Sequence, residues 1–292
     1  MNSESLFFSI AVMAYIGALV FFSFSLAWQR DRFYNFGRWG FLFGALMGTI
    51  GLGTRWYAAG HPPLSNMYES LVTLATFTAW ATLAFTRGAS LPLVEGGSAV
   101  LAILMIGIAS VFPREARPLI PALQSYWLYL HVSIAFIGEA FFTMAFAMSY
   151  LFCFRRLVAP PAVQVQIGAP ISSTRGEKLF CGAIVLGLPI LFLGSMVKVA
   201  MDWATKPGSE KWQQLVAWVI VPVGGLTMVV VFAVLVLYGA AGRAADRWLP
   251  DEKTLDELTY RAIAIGFPLF TVGALIFGMV WAQKAWGRYW GW

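Results

Sequence analysis

Long apolar runs recur along the whole chain, and each is separated from the next by a short polar segment. A membrane core of about 30 Å is crossed by about 20 residues of α-helix. The pattern therefore predicts eight transmembrane helices and an all-α, polytopic bundle that forms one integral membrane domain over residues 1–292. The predicted spans are 6–28, 39–54, 67–86, 91–112, 132–154, 179–200, 215–239 and 262–282.

The composition excludes several other classes of protein. Hydrophobic residues make up 59% of the chain, charged residues make up 12%, and the mean hydropathy is +0.72. A soluble domain has about 45–50% apolar and about 25% charged residues, so a soluble enzyme, a disordered chain and a disulfide scaffold are excluded. Cys153 and Cys181, at the edges of apolar runs, are expected to be buried thiols.

The positive charges lie between the apolar runs, where they orient the helices in the membrane. More of the 20 Lys and Arg residues fall in the loops that include Arg30 and Arg155 than in the opposite set. The first set is therefore predicted to be cytoplasmic, and both chain ends are predicted to face outward. No basic stripe indicates a nucleic-acid partner. Residues 157–178 are expected to form a cytoplasmic loop, and 240–260 a short surface helix.

His131 directly precedes the fifth predicted span, on the outward side. Tyr126, Trp127 and Tyr129 come just before it, as in an interfacial aromatic anchor. A neutral imidazole at this place can ligate a metal or haem iron. The alternative is an interfacial histidine that hydrogen-bonds to water or backbone.

The carboxyl-terminal residues form a second candidate site, on the same predicted side. Flat aromatic rings can stack on a planar ligand such as a porphyrin, and Lys284 or Arg288 can pair with its carboxylates. An aromatic belt at the membrane interface is the alternative, although the interleaved glycines favour close backbone approach to a ligand. The candidate residues are Trp286, Gly287, Arg288, Tyr289, Trp290 and Trp292.

Residues 61–71 contain a third motif, which begins with His61 and two prolines. Ser65 or Asn66 is expected to cap the third helix, with Glu69 in its first turn. Glu95 and Glu139 lie inside predicted spans, where an ionisable residue indicates either a functional role or a hydrogen-bonded helix contact.

Four stretches together resemble a known family. Residues 286–292, with the sequence WGRYWGW, resemble the WWD signature W-G-x-Y-W-x-W-D of haem-handling membrane proteins. Residues 61–71 resemble the motif H-x-P-L-S-N-x-Y-E-S-L, residues 130–133 resemble L-H-V-S, and residues 255–281 resemble the stretch before the signature. On these residues the chain is similar to the CcsA family, also called ResC and often labelled CcsB in bacteria.

The resemblance implies a membrane subunit of the System II cytochrome c synthase in the bacterial inner (cytoplasmic) membrane. Such a subunit presents haem b at the periplasmic face, where the haem vinyl groups are joined to the CxxCH thiols of apocytochrome c. It implies a ResB-type (CcsB-type) membrane partner as well as haem, apocytochrome c and lipid. It also implies that residues 283–292 hold the haem edge and that His131 is the first of two external iron ligands.

The family signature continues with Asp after the position of Trp292, followed by a membrane histidine and the second external histidine. The resemblance therefore implies that the chain of 292 residues stops within the signature. The expectation is that haem lyase activity requires the complete protein with its partner, and that these 292 residues alone are inactive.

Two other functions fit the same pattern less well. One is a CcmC-like exporter that passes haem to a chaperone without forming the thioether. The other is a membrane scaffold or transporter unrelated to haem. The residues between 61 and 71 and between 255 and 281 favour the CcsA family over both.

Overall fold

A computed structural model describes residues 3–115, 119, 121–158, 175–204 and 249–289 of the chain. All regular secondary structure in these ranges is helical, which confirms the predicted all-α class. The helices are α1 Ser3–Trp28, α2 Asp31–Ala59, α3 Met67–Phe85, α4 Pro92–Ala109, α5 Tyr126–Val158, α6 Arg175–Ala204, α7 Glu252–Phe270 and α8 Gly278–Trp286. A 3₁₀ turn, Pro121–Leu123, precedes α5, and a π-helix, Thr271–Phe277, joins α7 to α8 and is called the π segment here.

Four stretches among the described residues are long and apolar enough to cross a membrane. They are Glu4–Trp28, Pro92–Ala109, Tyr126–Val158 and Glu252–Trp286. The chain is thus a multi-pass membrane protein. The predicted span 215–239 lies outside the described residues, as does most of the predicted loop 157–178.

Several helices extend beyond their predicted boundaries. Helix α5 begins at Tyr126, so His131 lies in its second turn and not in front of it. The last predicted span, 262–282, is part of one helical stretch from Glu252 to Trp286. Its residues 252–260 were expected in a separate surface helix; they are continuous with the apolar residues that follow them.

The chain divides into two compact units. One contains Met1–Met148 and Asp256–Trp292, and the other contains Ser149–Leu255. In the second unit, Cys153 and Cys181 are buried free thiols that pack with Val185 in one apolar cluster. The Tyr150 hydroxyl donates to the Val185 carbonyl at 3.0 Å, which ties α5 to α6 within this unit.

In the first unit, α1 packs on α2 through a matched seven-residue repeat. Phe8, Tyr15 and Phe22 are buried on α1, and each ring lies against a glycine of α2. A Cβ at Gly37 would lie 2.6 Å from Phe22, and one at Gly51 would lie 2.9 Å from Phe8. Small residues let helix backbones approach closely in a membrane, where packing replaces the hydrophobic effect as the force between helices.

We expect Gly44→Ala to destabilise this unit by about 1–3 kcal/mol, because the new methyl group would overlap the Tyr15 ring. Gly53→Ala, on the same helix, is the matched control, since no atom lies within 4 Å of its added Cβ. Removing a glycine from a helix interior there should stabilise by about 0.5–1 kcal/mol. The midpoint of thermal unfolding in detergent measures both changes. Shifts of the same sign in the two variants would contradict this packing.

Candidate functional site

The imidazole of His131 makes a hydrogen bond that defines which nitrogen carries its proton. His131 Nδ1 lies 2.9 Å from the Gly273 carbonyl oxygen in the π segment. A carbonyl oxygen only accepts, so Nδ1 donates. A neutral ring then keeps its lone pair on Nε2, which has no hydrogen-bond partner among the described residues. Nε2 is therefore the atom available to coordinate a metal.

Two tryptophans extend from this imidazole towards the end of α8. The Trp281 ring is stacked on His131 with centroids 5.7 Å apart and planes 8° from parallel. Trp286 meets Trp281 edge-on, with centroids 4.8 Å apart. The predicted histidine and the predicted aromatic tail thus lie side by side, with Trp281 between them.

Glycines allow the π segment and α8 to approach α5 this closely. A Cβ at Gly273 would lie 2.7 Å from the Ile134 carbonyl carbon, and a Cβ at Gly278 would lie 3.1 Å from His131 Nδ1. On α5 itself, a Cβ at Gly138 would lie 2.6 Å from the Phe270 nitrogen. Glycine at Gly273 and Gly138 avoids overlap with neighbouring backbone, and glycine at Gly278 leaves room for the imidazole.

The other predicted site residues lie further along the chain. Gly287 has φ +72° and its N–H bonds to the Gln283 carbonyl, so it ends α8 in the left-handed conformation that glycine adopts most readily. The helix cap alone explains why a glycine occupies this position, and the close approach of Gly287 to a ligand stays a prediction. Arg288 and Tyr289 are exposed beyond it, and Trp290 and Trp292 lie outside the described residues.

This arrangement fits a haem iron at His131. The site offers Nε2 of a neutral imidazole, which is the usual protein ligand of haem iron, next to indole faces that can pack against a macrocycle. The exposed Lys284 and Arg288 supply positive charge near the same end of α8. Together these side chains have the chemistry needed to bind and orient a metalloporphyrin.

Sequence reasoning missed the direct neighbours of His131, namely Trp281, Gly273 and Gly278. Trp281 lies five residues before Trp286, the first of the predicted carboxyl-terminal site residues. One signal was present, since Gly278 lies three residues before Trp281 and thus on the same helix face. The π-helical geometry of residues 271–277 has no comparable signature in the sequence.

The motif at residues 61–71 surrounds a buried charge. Arg55 is 1% exposed, and its guanidinium donates to Glu69 Oε1 at 2.8 Å, to Glu4 Oε1 at 2.7 Å and to the Arg114 carbonyl at 2.9 Å. Charges out of water must be paired in this way. The cluster joins α1, α2, α3 and the chain after α4.

The start of α3 follows the sequence expectation. Asn66 Oδ1 accepts from the Glu69 N–H at 2.9 Å, so Asn66 is the cap. Ser65 donates from both its N–H and its hydroxyl to Glu69 Oε2 at 2.7 Å. Glu69 therefore serves structure, while no described contact connects His61 to His131.

The intramembrane carboxyls differ in their surroundings. Glu95 is fully buried, and its Oε1 accepts from Arg38, from Thr86 at 2.6 Å and from Tyr34 at 3.1 Å. Its Oε2 has no partner among the described residues. Glu95 thus takes part in an ion pair and hydrogen bonds between helices. Glu139 is half-buried on α5, and its role stays a prediction.

The comparison with known proteins gives a family. Residues 64–292 match the Cytochrome C assembly protein family, a range that contains His131, the π segment and α8. The chain belongs to the cytochrome c assembly protein family. Membership confirms the resemblance that the four sequence stretches indicated.

Several relatives of this chain carry the name cytochrome c biogenesis protein CcsA. The one from Synechococcus elongatus is 33% identical over 82% of this chain, and the one from Synechocystis sp. is 30% identical over 84%. The relative from Pyropia yezoensis is 28% identical over 84%. The chain spans 64% of the length of the Synechococcus and Pyropia proteins and 66% of the Synechocystis protein.

We expect Glu69→Ala to destabilise the protein by about 3–5 kcal/mol, because it leaves the Arg55 charge buried with fewer partners. Glu257→Ala is the matched control, because it breaks an exposed ion pair between Glu257 and Arg261, which lie one helical turn apart. This change should alter stability by about 0.5 kcal/mol or less. Unfolding midpoints in detergent compare the two. Equal shifts would show that burial does not govern these ion pairs.

Proposed function

We propose that this chain is the membrane subunit of a System II cytochrome c synthase that presents haem b to apocytochrome c. Family membership and the CcsA name of its relatives support this role. The observation that carries it is the His131 imidazole, whose Nδ1–H is engaged by Gly273 and whose Nε2 is left to bind iron. Because the relatives are longer, the activity is proposed for the complete protein with a ResB-type partner.

The proposed arrangement in the membrane has eight spans within one integral membrane domain. The loops richer in Lys and Arg face the cytoplasm, so the ends of α5 and α8 that carry His131 and Trp286 face the periplasm of a bacterial cytoplasmic membrane. Residues 283–292 form the outward haem-binding segment. This segment and His131 lie at one membrane face, which one bound macrocycle requires.

The residues of the chain act by binding and orientation. His131 Nε2 is the proposed first axial ligand, and Trp281 and Trp286 flank it, with Trp290 and Trp292 proposed to extend the same aromatic surface. Arg288 and Lys284 are proposed to pair with the haem propionates. The substrate haem supplies two vinyl groups, and each CxxCH thiol adds across one of them. The sulfur bonds to the vinyl carbon next to the ring, and the hydrogen goes to the terminal carbon. This addition balances without an oxidant or a leaving group.

We predict that His131→Ala in the complete protein lowers holocytochrome c formation more than about 100-fold, since loss of even an outer-shell partner costs about 10–100-fold in metal affinity. Added imidazole should restore part of the activity. His61→Ala is the control at the other histidine, and imidazole should have no effect there. Haem staining of the cytochrome and the Soret band of the purified protein are the measurements. Normal maturation in the His131 variant would refute the assignment.

We predict that Trp281→Ala weakens haem binding about 2–10-fold, because an aromatic pair contributes about 0.5–1.5 kcal/mol beyond its area. Trp28→Ala, on the exposed end of α1, is the matched control and should leave haem binding unchanged. Haem content after purification compares the two. If both variants retain the haem of the parent protein, Trp281 does not contribute to the site.

Co-purification separates the proposed function from its rivals. A ResB-type partner is expected with the synthase subunit, whereas a haem chaperone would indicate a CcmC-like exporter. A complete protein without Soret absorbance from a haem-replete host would indicate a scaffold or transporter unrelated to haem.

A further inference from the structure

We propose that the π segment is a positioning element for the iron ligand, in which the Gly273 carbonyl fixes His131 as the Nδ1–H tautomer and strengthens Nε2 as an electron donor. This inference rests on the proposed function. Beyond that function, it explains what orients the His131 ring and what sets the donor strength of Nε2.

The tautomer follows from the partner of Nδ1. A free neutral imidazole populates both tautomers, and the hydrogen bond at one nitrogen selects which nitrogen can coordinate a metal. Here the acceptor is a main-chain carbonyl at 2.9 Å, on an element separated from His131 by 142 residues of sequence. Nε2 is thus the coordinating atom before any iron arrives.

The π segment presents this carbonyl to α5. In an α-helix each carbonyl accepts from the amide four residues later, and in a π-helix from the amide five residues later. The Gly278 amide, five residues after Gly273, donates to the Leu275 carbonyl. A carbonyl oxygen has two lone pairs, so the Gly273 oxygen can accept from His131 beside any bond within its own segment.

The packing leaves the imidazole little freedom to move away from this oxygen. A Cβ at Gly273 would overlap the α5 backbone, 2.7 Å from the Ile134 carbonyl carbon, and a Cβ at Gly278 would press on the His131 ring at 3.1 Å. Trp281 holds the plane of the ring from one face by near-parallel stacking. Ring plane, tautomer and coordinating atom are thus fixed together.

The hydrogen bond also changes the electronic character of the ligand. An imidazole that donates its second N–H to a carbonyl is a stronger donor to the metal. Stronger donation stabilises ferric relative to ferrous iron and lowers the reduction potential of bound haem. The π segment therefore tunes the iron as well as orienting its ligand.

Nitrogen NMR of the haem-free protein tests the tautomer directly. The full-length protein is labelled with ¹⁵N-histidine in lipid membranes, and the His131 signal is assigned by its loss in His131→Ala. We expect the proton of the neutral ring on Nδ1. A proton on Nε2 would overturn the inference, and this measurement needs no variant of the π segment to fold.

Deletion of Leu275 tests the role of the π segment. Because a π turn holds one residue more than an α turn, removing this half-exposed leucine should restore α-helical bonding and keep Trp281 on the same face. Leu275→Ala, which keeps the residue count, is the control. Titration with ferric haem b should show about 10–100-fold weaker binding in the deletion variant, and its haem potential should shift to more positive values. The control should match the parent in both.

The outcomes separate the inference from the proposed function. If His131→Ala keeps the Soret spectrum and haem affinity of the parent, His131 is not a ligand and the proposed function fails. If His131→Ala loses ligation while the Leu275 deletion keeps the parent's affinity and potential, the proposed function stands and the inference is wrong.

Discussion

The hydrogen bond from His131 to the Gly273 carbonyl is the contact on which the candidate site depends. It joins α5 to the π segment across 142 residues of sequence, and it decides which imidazole nitrogen remains free. Trp281 and Trp286 take their places from the same approach of α8 to α5. Without that contact, the histidine and the aromatic tail would be two separate features of the chain.

Glycines allow close contacts between helices at two places in the first unit. Gly37, Gly44 and Gly51 admit aromatic rings of α1, while Gly273 and Gly278 admit the backbone of α5 and an imidazole. In lipid, helices gain little from hiding apolar surface from one another, so close packing must supply the attraction. The same device therefore stabilises the bundle at one place and positions a candidate ligand at the other.

Buried charges in this unit are paired through several helices. Arg55 is held by Glu4 and Glu69, and Glu95 is held by Arg38 with two hydroxyl donors. Such pairs are costly to break because one partner would remain charged out of water. They fix the helices that carry the motif at residues 61–71, which explains that motif without a catalytic role for Glu69.

The sequence by itself determined the helical class, the approximate positions of the described helices, a cap at Ser65 or Asn66 and the family, because hydrophobic periodicity, capping and short motifs are local properties of the chain. It also identified His131 and the aromatic tail as candidates for one site. Only the tertiary structure decided that Trp281 lies against His131, that Arg55 is the partner of Glu69, and that Gly273 supplies the acceptor for the imidazole. These facts depend on which residues meet across long stretches of chain. The π segment, moreover, arises from a change of one residue per turn that leaves the hydrophobic pattern of the helix almost unaltered.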